Sequence, residues 1–405
     1  MSIRLSHSDK YSLFECGATH GIFEETDMAV NTKWNALPEN RFWKPAKTGT
    51  PAVSEWLRDK TFGLGLINMA LFVILNVTGI ILMFYYVPST ANAYNIIKDL
   101  QFVVSFGAVF RNMHRWSAYT MIILVFLHMS RVFYTAEYRE PREFNWVVGM
   151  VLFLCTLVGA LTGYLLPWDQ KAYWGMTIMS NVMASVPVIG EKLKYVVLGG
   201  TEIGQNALSR AYDIHVKVMP LIMGCLIAVH FLRNRTDDLL SRSRVQGEVK
   251  SASALQADKG SDTASITWSD IITRELAKVF LILVVIMGTA ILFDAPLEEQ
   301  ANPSVTPVPA KAPWFFLGLQ ELLSWGAPFW FAIVIPNAVL LFGFLVPYIE
   351  RGKTGGGVWF HPSRRVQNIL FTAFVTVAIG LIILGAFFRG PGWRFYWPWQ
   401  PWPPH

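Results

Sequence analysis

The sequence predicts an all-α transmembrane protein with seven membrane spans, a four-helix bundle followed by a three-helix unit. Three observations predict it. Of the 405 residues, 53% are hydrophobic and 15% charged, whereas soluble domains carry roughly 25% charged residues. No Asp, Glu, Lys or Arg occurs from Thr61 to Ile97, and further uncharged runs lie at Phe144–Leu166, Val279–Phe293, Leu322–Ile349 and Val366–Phe388. A helix of about 20 apolar residues crosses a hydrocarbon core of about 30 Å. The cations are also uneven. With the N-terminus in the cytoplasm, 23 of the 34 lysines and arginines fall in segments 1–60, 131–142, 233–278 and 351–365, the side favoured by the positive-inside rule. A soluble enzyme is thereby excluded. The net charge of +6 reflects this bias and calls for no nucleic acid partner.

The elements follow in order. Residues 1–60 are polar and of mixed charge, unlike a secretory signal, and read as a cytoplasmic segment. Spans are expected at roughly 62–87, 114–135, 147–166 and 214–232, which makes 61–235 the four-helix domain. Residues 236–270, centred on the Ser/Ala-rich SRSRVQGEVKSASALQADKGSDTASITW, read as a flexible cytoplasmic linker. Spans at roughly 276–293, 328–349 and 366–388 make 271–390 the three-helix domain, and 391–405 a Trp/Pro-rich tail outside the membrane. The external segments 167–213 and 294–327 are rich in turn residues and aromatics. Ordered loops on one face of a bundle are where binding sites are usually built.

The chemistry rests on histidine and glycine. The cysteines, Cys16, Cys155 and Cys225, form no motif, and no C-x-x-C-H occurs, so neither a disulfide framework nor ordinary covalent haem attachment is encoded. Four of eight histidines stand inside spans: His114 and His128 on the second, fourteen residues apart, and His215 and His230 on the fourth, fifteen apart. Fourteen residues are close to four helical turns, about 21 Å. Spans two and four run in the same direction, so His114 pairs with His215 near the outside and His128 with His230 near the cytoplasm. Each pair supplies the two axial imidazoles of a b-type haem. One such histidine alone is as well explained by a hydrogen bond between helices; two matched pairs are not.

The glycines agree independently. Gly65 and Gly79 on the first span, and Gly149 and Gly163 on the third, repeat the fourteen-residue spacing. A porphyrin edge wedged between helices needs positions without a side chain. Gly63 and Gly159 fit ordinary helix packing. Haem propionates are anions, for which Arg111 and Arg115 are candidates near the outer pair, Arg115 foremost, and Arg131, Arg139 and Arg142 near the inner pair.

Further motifs are FYYVPS, SFGAVFRNMHRWSA, LHMSRVF, TGYLLPWDQKAYWG, PVIG, GGTEIGQ, HFLRNR, ANPSVTP and PWFFLGLQ. With these, the sequence resembles the cytochrome b subunit of quinol-oxidising cytochrome bc-type complexes over about residues 55–390. The PWDQ motif and the fifteen-residue spacing are similar to chloroplast-type cytochrome b6. The last three spans resemble the separate subunit IV of that complex. The resemblance implies quinol oxidation at an outer site, electron transfer through two b haems, quinone reduction at an inner site, and proton translocation. It implies as partners a Rieske-type iron–sulfur protein, a cytochrome c or equivalent acceptor, quinone, and a homodimeric complex in a bacterial cytoplasmic membrane. It places the outer pocket at Tyr173, Trp174 and Gly175 and at Pro313, Trp314 and Phe315. The inner site would lie near His230, with Arg235.

Two departures matter. The family's P-E-W-Y motif reads here Ala312, Pro313, Trp314 and Phe315, so the Glu thought to receive a quinol proton is replaced by proline. Glu321, about two turns further on, is the nearest substitute carboxylate, and the altered motif points to a low-potential, menaquinone-type quinone. Gly63 stands where chloroplast-type proteins carry a haem-attaching cysteine, so no covalent third haem is expected. Two competing readings are a di-haem membrane anchor of a quinone-linked dehydrogenase and a histidine-containing transporter. The anchor needs neither the aromatic outer loops nor the three-helix tail, and the transporter predicts no haem absorbance and leaves the glycine pairs unexplained. His7, Cys16 and His20 suggest no role.

Overall fold

Helices account for the architecture of the described residues, 63–252, 268–352 and 357–402, in a computed structural model. Among them, seven helices are long and apolar enough to cross a membrane. No strand occurs there beyond two isolated bridges, Asp169 with Gln300 and Arg389 with Phe395. Residues 1–60, with His7, Cys16 and His20, lie outside the described residues.

The first span is α1 (Leu64–Met83). Its polar residues turn back on their own helix: Asn68 donates to the Leu64 carbonyl at 2.9 Å, Asn76 to Phe72 at 2.7 Å and Thr78 to Ile74 at 2.7 Å. That is how a polar side chain is tolerated where no water competes. After the amphipathic outer helix α2 (Ala93–Phe102) comes the second span, α3 (Gly107–Tyr134). It begins seven residues before the hydropathy boundary. Arg111 and Asn112 make that first turn look non-membranous, yet both are buried and hydrogen-bonded to the 290–296 segment. The third span is α4 (Glu143–Tyr164). Two shorter helices, α5 (Gln170–Ala184) and α6 (Gly190–Leu198), belong to the outer segment. Asp169 caps α5, accepting from Ala172 N at 2.8 Å.

The fourth span joins α7 (Gln205–Asp213), a five-residue π turn at Ile214–Val218, and α8 (Met219–Ala252). The helix continues into residues expected as linker. The segment from Thr236 to Ala252 lacks proline and is rich in helix-forming residues, which favours continuation. Residues 253–267 lie outside the described residues.

The last three spans are α9 (Trp268–Leu292), α11 (Ile335–Ile349, entered through a π turn at Phe329–Val334) and α12 (Arg365–Phe387). The ten-residue α10 (Trp314–Leu323) lies between the first two of these. Ile286 and Ala290 of α9 join Leu71, Met113, Met121 and Met223 in one buried cluster, which closes the four-helix bundle against α9. Near the end of α3 that carries His128, fully buried Arg364 donates to Glu350 Oε1 at 2.8 Å, the Phe133 carbonyl at 2.8 Å and the Tyr138 hydroxyl at 2.8 Å. Glu350 also pairs with Arg139 and accepts from Tyr138. Burial raises the Glu350 carboxyl, but hydrogen bonds from Arg364, Tyr138 and Arg139 outweigh it and hold it below the usual carboxylate range.

Candidate functional site

Every one of the four intraspan histidines faces one of the four spaced glycines. A Cβ placed on Gly79 would lie 3.2 Å from His114 Cε1, and one on Gly163 would lie 2.5 Å from His215 Cε1. At the inner level the same distances are 3.9 Å from Gly65 to His128 and 3.5 Å from Gly149 to His230. The positions that spacing singled out are therefore the ones where a side chain would fill the space beside an imidazole.

The fifteen-residue interval on the fourth span is reconciled by the π turn. A π turn accommodates one residue more than an α turn. It lies between Ile214 and Val218, so the segment from His215 to His230 takes up its odd residue there. The His114 and His215 rings stand 6.0 Å apart between centroids, with planes at 74°. Two imidazoles that each gave a nitrogen lone pair to one metal ion, at about 2 Å, would have centroids about 6 Å apart. The outer pair fits that requirement.

The tautomers fit as well. His215 Nδ1 lies 2.9 Å from the Gly159 carbonyl, which only accepts, so Nδ1 carries the proton and Nε2 keeps its lone pair. His114 Nδ1 lies 2.9 Å from the Thr78 hydroxyl, whose own proton goes to Ile74 O at 2.7 Å. Both outer imidazoles thus leave the Nε2 lone pair unused, with the ring fixed by a partner on the far nitrogen. Gly159, expected only to ease packing, contributes its carbonyl.

A cavity of ≈ 420 Å³ opens at this level, bordered by Gly79, His114, Gly163 and His215 and, further out, by Arg115, Tyr119, Tyr164 and Phe315. Arg115 Nε is buried there without a partner, and its guanidinium lies 5.0 Å from the Tyr119 ring centre and 5.8 Å from that of Tyr164. Arg111 is committed elsewhere: it donates to Gln101 at 2.8 Å and to the carbonyls of Ala295 at 2.7 Å and Pro296 at 2.9 Å. At the inner level Arg131 is 3% exposed, pairs with Glu137 at 3.3 Å, and keeps Nε and Nη1 buried and unpartnered. Arg142 approaches Glu137 at 4.0 Å, and Arg139 is engaged by Glu350. Arg115 and Arg131 thus each keep buried guanidinium nitrogens available to an anion. The Arg235 side chain lies outside the described residues. Two positions before it, Arg233 stacks 5.6 Å from the Phe144 ring and pairs with Asp237 at 3.0 Å.

The expected outer-site residues fall in two segments, Tyr173, Trp174 and Gly175 on α5 and Pro313, Trp314 and Phe315 at the start of α10. Gly175 packs against Tyr164, where a Cβ would meet Cε1 at 3.6 Å. Trp174 donates its indole N–H to the Val305 carbonyl at 3.1 Å, and Tyr173 lies edge-on to Trp168 at 6.2 Å. Pro313 precedes α10 as its N-cap, and Trp314 and Phe315 meet the Tyr119 ring at 5.9 and 6.0 Å. Of these six, Phe315 borders the cavity. At the start of α5, Asp169 accepts from Glu298 N at 3.2 Å as well as from Ala172 N. Burial raises its carboxyl, and those two backbone hydrogen bonds only partly offset it.

Glu321 was the candidate proton acceptor, and the structure gives it a different task. It is fully buried, accepting from Arg389 Nη2 at 2.6 Å and Nε at 2.9 Å, from Trp393 at 3.0 Å and from Trp325 at 3.1 Å. Burial alone raises such a carboxyl, but Arg389 and the two indoles win and hold it below the ordinary range. A carboxylate so fully paired has no lone pair to offer a substrate, and it does not border the cavity.

Tyr119 and Thr78 were missed from sequence. Tyr119 stands four residues after Arg115, one helical turn, and Thr78 and Thr162 immediately precede the two outer glycines. That repeated Thr-Gly pair was the available signal.

The family model described as Cytochrome b/b6/petB matches residues 51–237. The chain is 41% identical over 172 residues to cytochrome b6 of Prochlorococcus marinus (strain NATL1A), covering 42% of this chain and 79% of that protein. It is 39% identical over 172 residues to cytochrome b6 of Acaryochloris marina (strain MBIC 11017), covering 42% and 80%. A chain of a hyperthermophilic respiratory Complex III superposes with a TM-score of 0.65 at 26% identity, over 89% of each chain.

Proposed function

The chain belongs to the cytochrome b/b6 family, and on that premise we propose that it oxidises quinol at an outer site and returns electrons to quinone at an inner one. It is an integral membrane protein and the b cytochrome of a bc-type quinol oxidoreductase, whose activity belongs to the whole complex. Family membership implies b-type haems. When bound, these supply one-electron redox chemistry at two depths in the membrane.

The observation that carries the finer reading is the pairing of each intraspan histidine with a spaced glycine. His114 and His215 would hold the outer haem, and His128 and His230 the inner one. Gly79 and Gly163, and Gly65 and Gly149, leave room for the ring edges. Thr78 and the Gly159 carbonyl hold the outer imidazoles in the ligating tautomer. Arg115 and Arg131 offer buried donors to anionic groups, where hydrogen bonds to charge are strongest. Tyr173, Trp174 and Gly175, with Pro313, Trp314 and Phe315, form the walls of the outer quinol site. The inner site lies beside His230. Protons leave on the outer face and are taken up inside, so turnover builds a proton-motive force. A Rieske-type iron–sulfur protein and a cytochrome of the c1 or f kind complete the complex, which we read as a homodimer. The N-terminus lies in the cytoplasm, the C-terminus outside, and the membrane is a bacterial cytoplasmic membrane. Residues 61–235 act as the haem-carrying unit and 271–390 as the unit completing the outer site.

The test is quinol-driven reduction of a c-type cytochrome by the purified complex. Activity is expected to be blocked by outer-site inhibitors and lost in His114→Leu, with the inner b-haem absorbance retained. Full activity in His114→Leu, or quinol-linked electron flow indifferent to outer-site inhibitors, contradicts the proposal and favours a simple di-haem anchor.

A further inference from the structure

The outer quinol site, as read above, has walls with few polar groups to offer. Ala312, Pro313, Trp314 and Phe315 carry neither a hydroxyl nor a carboxylate. The polar side chains on either side are already used. Lys311 donates to the Ala386 carbonyl at 2.7 Å. Gln320 accepts from Ala312 N at 2.7 Å and donates to the Ala310 carbonyl at 2.8 Å. Glu321 is closed by Arg389 and two indoles. A quinol headgroup brings two hydroxyls into a dry site, where an unmade hydrogen bond is costly.

Tyr119 answers that need. Its ring meets Trp314 at 5.9 Å and 88° and Phe315 at 6.0 Å and 65°, and it borders the cavity beside Phe315. Its hydroxyl accepts from Arg115 Nη2 at 2.6 Å. A phenolic hydroxyl has one proton and two acceptor positions, so Arg115 leaves one acceptor position and the O–H itself. The open lone pair can receive a quinol O–H, and the O–H can donate to the carbonyl of the oxidised product. One group therefore serves both redox forms of the headgroup. The other tyrosines bordering the cavity are placed differently: Tyr86 donates to the Leu166 carbonyl at 2.7 Å, Tyr212 stacks on Tyr86 at 5.6 Å, and Tyr164 packs against Gly175.

We propose that Tyr119 binds the quinol headgroup at the outer site, supplying from the second span the polar contact that residues 312–315 lack. The hydroxyl absent from position 315 is thus carried by the ring packed against it. This rests on the quinol-site reading given above.

The experiment is steady-state kinetics of Tyr119→Phe in the assembled complex, with short-chain menaquinol and ubiquinol analogues as probes. The variant is expected to raise the quinol KM about tenfold, the effect of losing one buried hydrogen bond, and to change kcat less than about twofold. Haem content and both midpoint potentials are expected to stay as in the wild type. A KM within about twofold of wild type for both analogues overturns the inference. So does a KM change accompanied by a shifted outer-haem potential, which would assign Tyr119 to Arg115 and the haem. A wild-type complex with two b haems that fails to oxidise either quinol overturns the site reading beneath it instead.

Discussion

The side chain that does most to define the outer level is one that is absent. A Cβ on Gly163 would stand 2.5 Å from His215 Cε1, closer than real side chains come. His215 itself cannot retreat freely, because its Nδ1 is held by the Gly159 carbonyl at 2.9 Å. Gly163→Ala should therefore lower haem content from two b haems per chain to one, leaving the inner haem spectrum in place. Pyridine haemochrome assay with the difference spectrum checks this; two haems with unchanged potentials would count against the arrangement. The residues of this level were legible because both glycines and both histidines repeat at helical spacing. Thr78 was not, since a hydroxyl that returns to its own backbone and also meets a ligand leaves no periodic trace.

Among elements, the short α10 shows what the sequence conceals. Hydropathy marks it as apolar, but nothing in its letters says that Glu321 faces Arg389 and Trp393, 68 and 72 residues on. That carboxylate joins α10 to the end of α12 and folds the Trp/Pro-rich tail back onto it. The tail has at least Trp393 committed within its own chain. Removing one partner of such a buried pair costs about 3 kcal/mol, so Glu321→Gln should lower the thermal stability of the purified complex. It should leave the pH profile of quinol oxidation in the surviving fraction unchanged. The pH dependence of stability has a definite sign. The carboxyl of folded Glu321 titrates below its unfolded value, about 4.3, so its contribution is present above that value. It is lost as pH falls through the folded value. Acid unfolding shifted to lower pH in the wild type relative to Glu321→Gln is the expected result, and coincident curves would refute the assignment. The same reasoning explains two boundary shifts. α3 begins early because Arg111 and Asn112 find partners in a distant loop, and α8 continues because nothing in 236–252 stops a helix.

For the whole molecule, the polar groups within seven apolar spans sort into few tasks. Some turn back on their own helix, as Asn68 and Asn76 do. Others fasten the three-helix unit to the bundle, as Asn112 does with Asp294 and Arg364 with Phe133 and Tyr138. The four intraspan histidines face the two glycine-lined levels. Fold class and span number were readable from apolar runs and charge bias, because the bilayer imposes both. The outer-site walls were placed by motif, whereas the polar contacts around them depend on pairs far apart in sequence. The central claim is that these two levels hold two haems for one transmembrane electron path. The most direct measurement is a potentiometric titration of the reduced-minus-oxidised spectrum of the purified complex, with haem stoichiometry per chain. Two non-covalent b haems per chain with distinct midpoint potentials are predicted. A single b haem, or none, would contradict the account.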